Sequence, residues 1–421
     1  MSLSVNSILE IKLFARKILI KNDLNGTKFS MKSLLFVSRC PPYPLHFGDR
    51  LILWHLAREL KAWGYVMDLL AFAQYESDFH ELEMYHEFFR DVQVIQEPQR
   101  SQLSYLRRVL LPHTRFPREA RHSWSPEMWR AIAGKLGVWD YDAIHFFGGI
   151  QVYEFYHVLR GQKAIITPYE SFSLYLKRQI EQTNRTADRI QRVITRQFER
   201  FMYRPYDTTV VVAKPDLQEL LDVNPDLNAR VISNGIDLDF FKVEPSKREK
   251  ARLLFTGNYE YQPNLDAAML LATEILPEVQ AAIPDLKLWL VGNAPPPELI
   301  ALQSDAIEVT GRVPDIRPYL AEATIFVCPL RLGAGIKNKV LEAMAMGLPT
   351  IATPLSIDGI AARHNQEVII AEVSQIAGET IRLLNTVSLQ QTLSQNSRAL
   401  IENRYSWTQV AEAYQSLYDR I

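Results

Sequence analysis

The chain has 421 residues with 47 Lys and Arg against 48 Asp and Glu, a formal net charge of −1, so no global field draws it to nucleic acid or to a membrane. That length is enough for two domains of ordinary size, each with its own core. Its two cysteines, Cys40 and Cys328, have no metal-ligand spacing and form no disulfide framework, which points to a reducing, cytoplasmic compartment, and no apolar stretch approaches the roughly 18 to 20 residues of a membrane span.

Residues 1–30 read as an N-terminal extension. Ile8, Ile11, Leu13, Phe14, Ile18 and Leu19 are interspersed with Lys12, Arg16, Lys17 and Lys21, the pattern of a short basic amphipathic helix without the h-region of a signal peptide. It is either an appended surface helix or the product of an upstream start codon. Short apolar strands then alternate with helices: a strand over 33–38, a helix over 49–63 and a strand over 66–72 form a βαβ unit. Further strands are expected at 92–95, 143–147, 164–167 and 208–212. A second series begins with strands at 229–233 and 251–256, a helix over 265–279, and strands at 286–291, 307–310 and 323–329. The last helix is capped by Ser406 and carries Trp407, Val410, Ala411, Tyr414 and Leu417 at helical spacing. This alternation predicts α/β architecture with two doubly wound domains, 31–212 and 229–402, joined by a linker over 213–228 where Asn224-Pro225 interrupts a helix.

The segment Arg331-Leu-Gly-Ala-Gly-Ile-Lys-Asn-Lys-Val-Leu-Glu-Ala-Met-Ala-Met-Gly-Leu-Pro-Thr350 carries the most chemistry. Gly333 and Gly335 fall where the backbone turns from a strand into a helix and offers N–H groups to an anion. Arg331, Lys337 and Lys339 add positive charge, and Glu342 is placed to accept hydrogen bonds from a vicinal diol such as a ribose. The plainer reading leaves the two lysines as solvated side chains at a helix start, an unfavourable place for a cation unless an anion is bound.

This segment resembles the donor-nucleotide loop of retaining glycosyltransferase family 4, in particular a subset of exopolysaccharide-type sugar transferases. The family pattern is a glutamate, seven residues, a second glutamate, then Ala-Met-Ala-x-Gly-x-Pro; Glu342 matches the second glutamate and Ala334 stands at the first. The resemblance covers nearly all of residues 31–421. It implies the GT-B architecture, two Rossmann-like domains facing across a cleft with the terminal residues 403–421 returning to the first.

Several site assignments follow from that resemblance. In Cys40-Pro-Pro-Tyr-Pro-Leu-His-Phe-Gly-Asp-Arg50, Gly48 would let backbone approach the donor diphosphate and Arg50 would hold its charge; the alternative is a proline-rich turn with Asp49 as a helix cap. His145, before Gly148-Gly149, matches the histidine at the donor sugar, although a histidine there is as readily a satisfied polar group. Gly257-Asn258 stands where the family commonly has Gly-Arg, so the cation lost there is expected from Arg331, Lys337 or Lys339. Arg312 and Val313 would contact the base through their backbone, with Asp315 capping the next helix. The expected catalytic set is therefore His145, Glu342, Lys337 and Arg331, with Gly48, Arg50, Gly257, Asn258, Arg312, Val313, Gly333, Ala334, Gly335, Ile336 and Lys339 holding the donor.

The activity implied is metal-independent, retaining transfer of a hexose-type sugar from a nucleoside-diphosphate sugar to a hydroxyl of a glycan or lipid-linked glycan, in surface or exopolysaccharide biosynthesis. No cofactor and no nucleic acid are expected. Because Ala334 removes a carboxylate that would clasp the sugar, two alternatives stay open: a non-catalytic nucleotide-sugar-binding subunit, and an epimerase or hydrolase of the same architecture. Between Arg100 and His122, six arginines lie among apolar residues, a patch suited either to peripheral contact with anionic lipid on the inner face of a membrane or to packing against a partner.

Overall fold

The computed structural model describes residues 32–45, 48–79, 82–242 and 251–420, so the expected extension over 1–30 and His46 lie outside the described residues. Seven strands, β1 (Ser33–Ser38), β2 (Val66–Ala73), β3 (Asp91–Gln96), β4 (Ala143–Phe147), β5 (Ala164–Tyr169), β6 (Thr208–Val211) and β7 (Ala229–Val231), form a parallel sheet in the order β3-β2-β1-β4-β5-β6-β7. Six more, β8 (Arg252–Asn258), β9 (Lys287–Asn293), β10 (Ile307–Gly311), β11 (Ile325–Cys328), β12 (Thr350–Ala352) and β13 (Ile369–Ile370), form a second parallel sheet in the order β10-β9-β8-β11-β12-β13. Strands such as β1, whose Leu34 to Val37 are fully buried, need cover on both faces, and the crossover helices supply it.

The helices that shape the cleft and its supports are α1 (Gly48–Ala62), α2 (Gln102–Leu110), α3 (Phe172–Thr183), α4 (Lys214–Val223), α5 (Gln262–Leu270), α6 (Asn338–Ala345) and α7 (Trp407–Arg420). The expected linker at 213–228 is corrected: α4 occupies it and crosses from β6 to β7, so Ala229–Val231 is the edge strand of the first sheet. Asn224-Pro225 does end a helix, but that helix is a crossover within the first domain.

The chain passes to the second domain farther on, at Asn234-Gly-Ile-Asp237, beside its own return at Tyr405-Ser406. There the Ile236 amide donates to the Tyr405 carbonyl at 2.6 Å. A Cβ on Gly235 would lie 2.6 Å from the Trp407 ring, so the two crossings touch only because residue 235 has no side chain. Asp237 accepts from Arg58 of α1 at 2.7 Å and caps the turn that follows through the amides of Asp239 and Phe240. Ser406 caps α7 by accepting from the Gln409 amide at 3.3 Å, and α7 lies on the first domain, with Trp407 stacked on His55 at 4.7 Å between ring centroids.

The basic patch over 100–122 is smaller than its sequence suggests. Arg100 lies 3.6 Å over the Trp124 ring, Arg108 pairs at 2.7 Å with the buried Glu154, and Arg115 donates to the carbonyls of Arg108 and Val109. Arg107, Arg118 and Arg121 remain at the surface, and Leu103, Leu106 and Leu110 of α2 are exposed.

Candidate active site

In each sheet the strand order reverses at one place, between β1 and β4 in the first and between β8 and β11 in the second. Crevices at the carboxyl ends of such strands are where open α/β sheets bind ligands. Here the two crevices face one another. Arg178 of α3 donates to the Gly333 carbonyl at 2.7 Å and pairs with Asp358, and a Cβ on Gly359 would lie 2.9 Å from that of Ala213.

On the second-domain side, the loop after β11 is fixed at its root, where Leu330 donates to the Ser356 hydroxyl at 3.2 Å and Thr353 donates back to the Leu330 carbonyl at 2.7 Å. Gly333 and Gly335 have φ of +126° and +67°, values that favour glycine, and they bend the loop into the start of α6. Ala334 and Ile336 between and beyond them are buried. Lys337 turns back and donates to the carbonyls of Ala334, at 2.8 Å, and Gly335. Burial lowers its pKa, against which the nearby Glu170 carboxylate acts.

Gly257 and Asn258 end β8, paired in register with Gly292 and Asn293 of β9. Lys339, the second residue of α6, reaches this end: its ammonium donates to Asn264 Oδ1 at 2.7 Å and would lie 3.0 Å from a Cβ on Gly257. Asn264 in turn donates to the Asn258 carbonyl at 2.8 Å. A lysine from α6 thus lies at the Gly257-Asn258 turn, and a side chain at 257 would crowd both it and Asn264. Burial pushes Lys339 down to about 8 and Glu342, farther along the same helix, up to about 7, each drawn back by the other's charge. No described residue donates a hydrogen bond to the Glu342 carboxylate, which leaves its acceptor capacity for a ligand. Arg331 pairs with Asp266 of α5, its Nε 3.0 Å from Oδ2, at the rim of the same loop. Arg312 and Val313 lie in the loop after β10, with Asp315 accepting from the Arg317 amide at 2.9 Å.

Two expected residues are not in the cleft. His145 is in the middle of β4 in register with Phe36, fully buried, with Nδ1 2.7 Å from the Tyr418 hydroxyl and Nε2 2.7 Å from that of Thr167. Its ring stacks on Phe147 at 3.9 Å, and burial drives its pKa well below the ordinary histidine value. It bolts α7 to the first sheet. Arg50 likewise points into the first domain, where it is buried and pairs at 2.8 Å with Asp78. Gly48 begins α1.

Among the described residues, Arg39 is a cation at the first crevice that the sequence did not single out. It follows β1, grips Asp49 with Nε and Nη2 at 3.0 and 2.8 Å, and lies 5.2 Å over the Tyr169 ring. A Cβ on Gly148 would lie 2.9 Å from its Cβ, so the residues after β1 and β4 meet at the reversal. The position immediately after β1 was the available signal.

Two parallel α/β domains whose reversal points face across a cleft, with a terminal helix returning to the first, define the GT-B fold. The family model described as Glycosyltransferase Family 4 matches residues 51–240 and that described as Glycosyl transferases group 1 matches residues 250–386, so the first domain carries the one match and the second domain the other. An uncharacterised 44.6 kDa protein from the cps region of Klebsiella pneumoniae is 24% identical over 175 residues, covering 39% of this chain and 45% of that protein. The chain spans less than half the length of the curated relatives it matches. The crystal structure of a glycosyltransferase from Rickettsia africae ESF-5 superposes with a TM-score of 0.66 at 16% identity, covering 93% of this chain and 99% of that one. Anabaena Alr3699/HepE in complex with UDP and glucose gives a TM-score of 0.62 at 14% identity over 93% and 100% of the respective chains. At these identities the solved structures establish the fold alone.

Proposed function

We propose that the protein transfers a hexose-type sugar from a nucleoside-diphosphate sugar, with retention and without metal, to a hydroxyl of a glycan or lipid-linked glycan in surface polysaccharide assembly. The observation that carries this reading is the joint placement of Lys339, Gly257, the Gly333–Gly335 loop and Glu342. A diphosphate lying between the end of β8 and the loop would meet the Lys339 ammonium and the backbone N–H groups at the start of α6. The ribose diol would donate to Glu342. The same cation would stabilise the leaving diphosphate as its bond to the anomeric carbon breaks, the stage at which a fixed charge in a dry cleft contributes most. Retention follows if the acceptor hydroxyl attacks from the face the diphosphate leaves and a phosphate oxygen takes its proton, which needs no protein base.

The UDP and glucose bound to the Anabaena neighbour support a nucleotide-sugar donor, and the cps-region relative supports a polysaccharide role. Cytoplasmic work close to lipid-linked acceptors is consistent with the exposed leucines of α2 and the three surface arginines of residues 100–122; no helix of the described residues is long and apolar enough to cross a membrane. The test is transfer from a panel of nucleotide sugars to extracted lipid-linked and free glycans in EDTA. The anomeric configuration of the product is then read by NMR. An α-linked product from an α-linked donor supports the reading, whereas an inverted product or hydrolysis to free sugar alone would refute it.

A further inference from the structure

With Ala334 buried and His145 locked in the first-domain core, the second domain has no carboxylate in its glycine loop to hold the donor sugar. One comes from the opposite side of the cleft. Glu170 directly follows β5, after Tyr169, whose φ of +73° puts a non-glycine residue in the left-handed region at the end of the strand. Glu170 faces the loop closely enough that a Cβ on Gly335 would lie 3.3 Å from its Oε2. Gly335 therefore accommodates this carboxylate in addition to making the turn.

The electrostatics around Glu170 leave it available. Burial raises the pKa of Glu170 above the ordinary carboxylate value, and Lys337, Arg39 and Arg178 act against that rise, yet each is bonded elsewhere: Lys337 to the Ala334 and Gly335 carbonyls, Arg39 to Asp49, and Arg178 to the Gly333 carbonyl and Asp358. No described residue donates a hydrogen bond to its carboxylate, which lies deep between the domains yet remains accessible to solvent in the cleft. A carboxylate near three cations but bonded to none keeps its lone pairs for donors brought by a ligand. Tyr261 of the second domain brings a hydroxyl to the same place, 3.5 Å from where a Cβ of Gly333 would stand.

We propose that Glu170 supplies, from the first domain, the carboxylate that accepts hydrogen bonds from the donor-sugar hydroxyls over the Gly333–Gly335 loop. Sugar selection is then made across the cleft and only with the domains closed, because the residue that holds the nucleotide and the one that holds the sugar belong to different domains. This rests on the reading of the cleft as a nucleotide-sugar site.

The experiment is calorimetric titration of wild type, Glu170→Gln and Glu170→Ala with UDP, GDP, UDP-glucose, UDP-N-acetylglucosamine and GDP-mannose, followed by kcat and KM on the sugar that binds. Both variants should bind the free diphosphate as wild type does, which also shows that they are folded. They should bind the matching nucleotide sugar about 10- to 100-fold more weakly, the effect of losing charge-assisted hydrogen bonds. Unchanged sugar binding, or an equal loss of diphosphate and sugar binding, overturns the proposal. So does a collapse of kcat with binding intact, which would make Glu170 a reacting group. If wild type binds none of the five ligands, the reading of the cleft itself fails and the inference falls with it, an outcome distinct from a defect confined to the variants.

Discussion

Lys339 is a cation in a place that disfavours charge, and Glu342 is a carboxylate in the same position; burial moves the first down to about 8 and the second up to about 7. A bound diphosphate needs the ammonium, which is lost as pH rises through about 8. A ribose diol is held best by the carboxylate, which is lost as pH falls through about 7. Nucleotide-sugar affinity should therefore peak between the two values. A pH series of dissociation constants checks this, with Glu342→Gln removing the acid limb and Lys339→Met the alkaline one. Lys339→Ala should weaken diphosphate binding by roughly 10- to 100-fold. Burial likewise depresses the pKa of His145, below the ordinary 6.5, so its contribution to stability is full above that pH and declines below it, by up to about 1.4 kcal/mol per pH unit. His145→Ala should lower stability by roughly 2–4 kcal/mol while kcat/KM of the folded enzyme stays within about threefold of wild type. Denaturation curves and steady-state kinetics on one preparation separate these effects. Gly333, Gly335, Lys339 and Glu342 were legible in the sequence because a strand, a turn and a helix in succession fix which backbone groups face a ligand. His145 and Arg50 were not, because nothing in a strand's sequence says that Tyr418, nearly three hundred residues later, or Asp78 will claim the side chain.

At the scale of elements, the connections between the domains are held by a few close contacts. Gly235 permits the chain's outward crossing to lie against Trp407 on its return, and Asp237 ties the outward crossing to Arg58 of α1. Gly235→Ala puts a methyl group into the Trp407 ring and should cost about 1–3 kcal/mol, the usual penalty for overpacking. A thermal melt checks the prediction, and Trp407→Leu in the same chain should recover part of the loss. Most strands were readable from runs of buried apolar residues bounded by turns. The linker was misplaced because a helix ended by Asn-Pro looks the same whether the chain goes on to a new domain or to one more strand of the old one; the three-residue β7 is too short to carry a periodic signal. Glu170 was unreadable for a related reason, since its partner loop begins more than 160 positions later and only the closed pair of domains brings them together.

For the molecule as a whole, the proposed function divides the work across the cleft: the second domain would present cations and a diol acceptor to the nucleotide, and the first would close over it through Arg178 and Glu170. If protein cations meet the diphosphate as proposed, transfer should be unchanged by EDTA and altered by less than about twofold on adding magnesium. A direct rate comparison in the two buffers decides it. The central claim is that a nucleoside diphosphate lies between the end of β8 and the Gly333–Gly335 loop. It is tested most directly by thermal melts of wild type and Glu342→Ala with a panel of nucleoside diphosphates in EDTA, because a ligand that binds only the folded chain raises its melting temperature. One diphosphate should raise the wild-type melting temperature by a few degrees and leave the variant nearly unmoved; no shift with any of them, or equal shifts in both proteins, would contradict the site described.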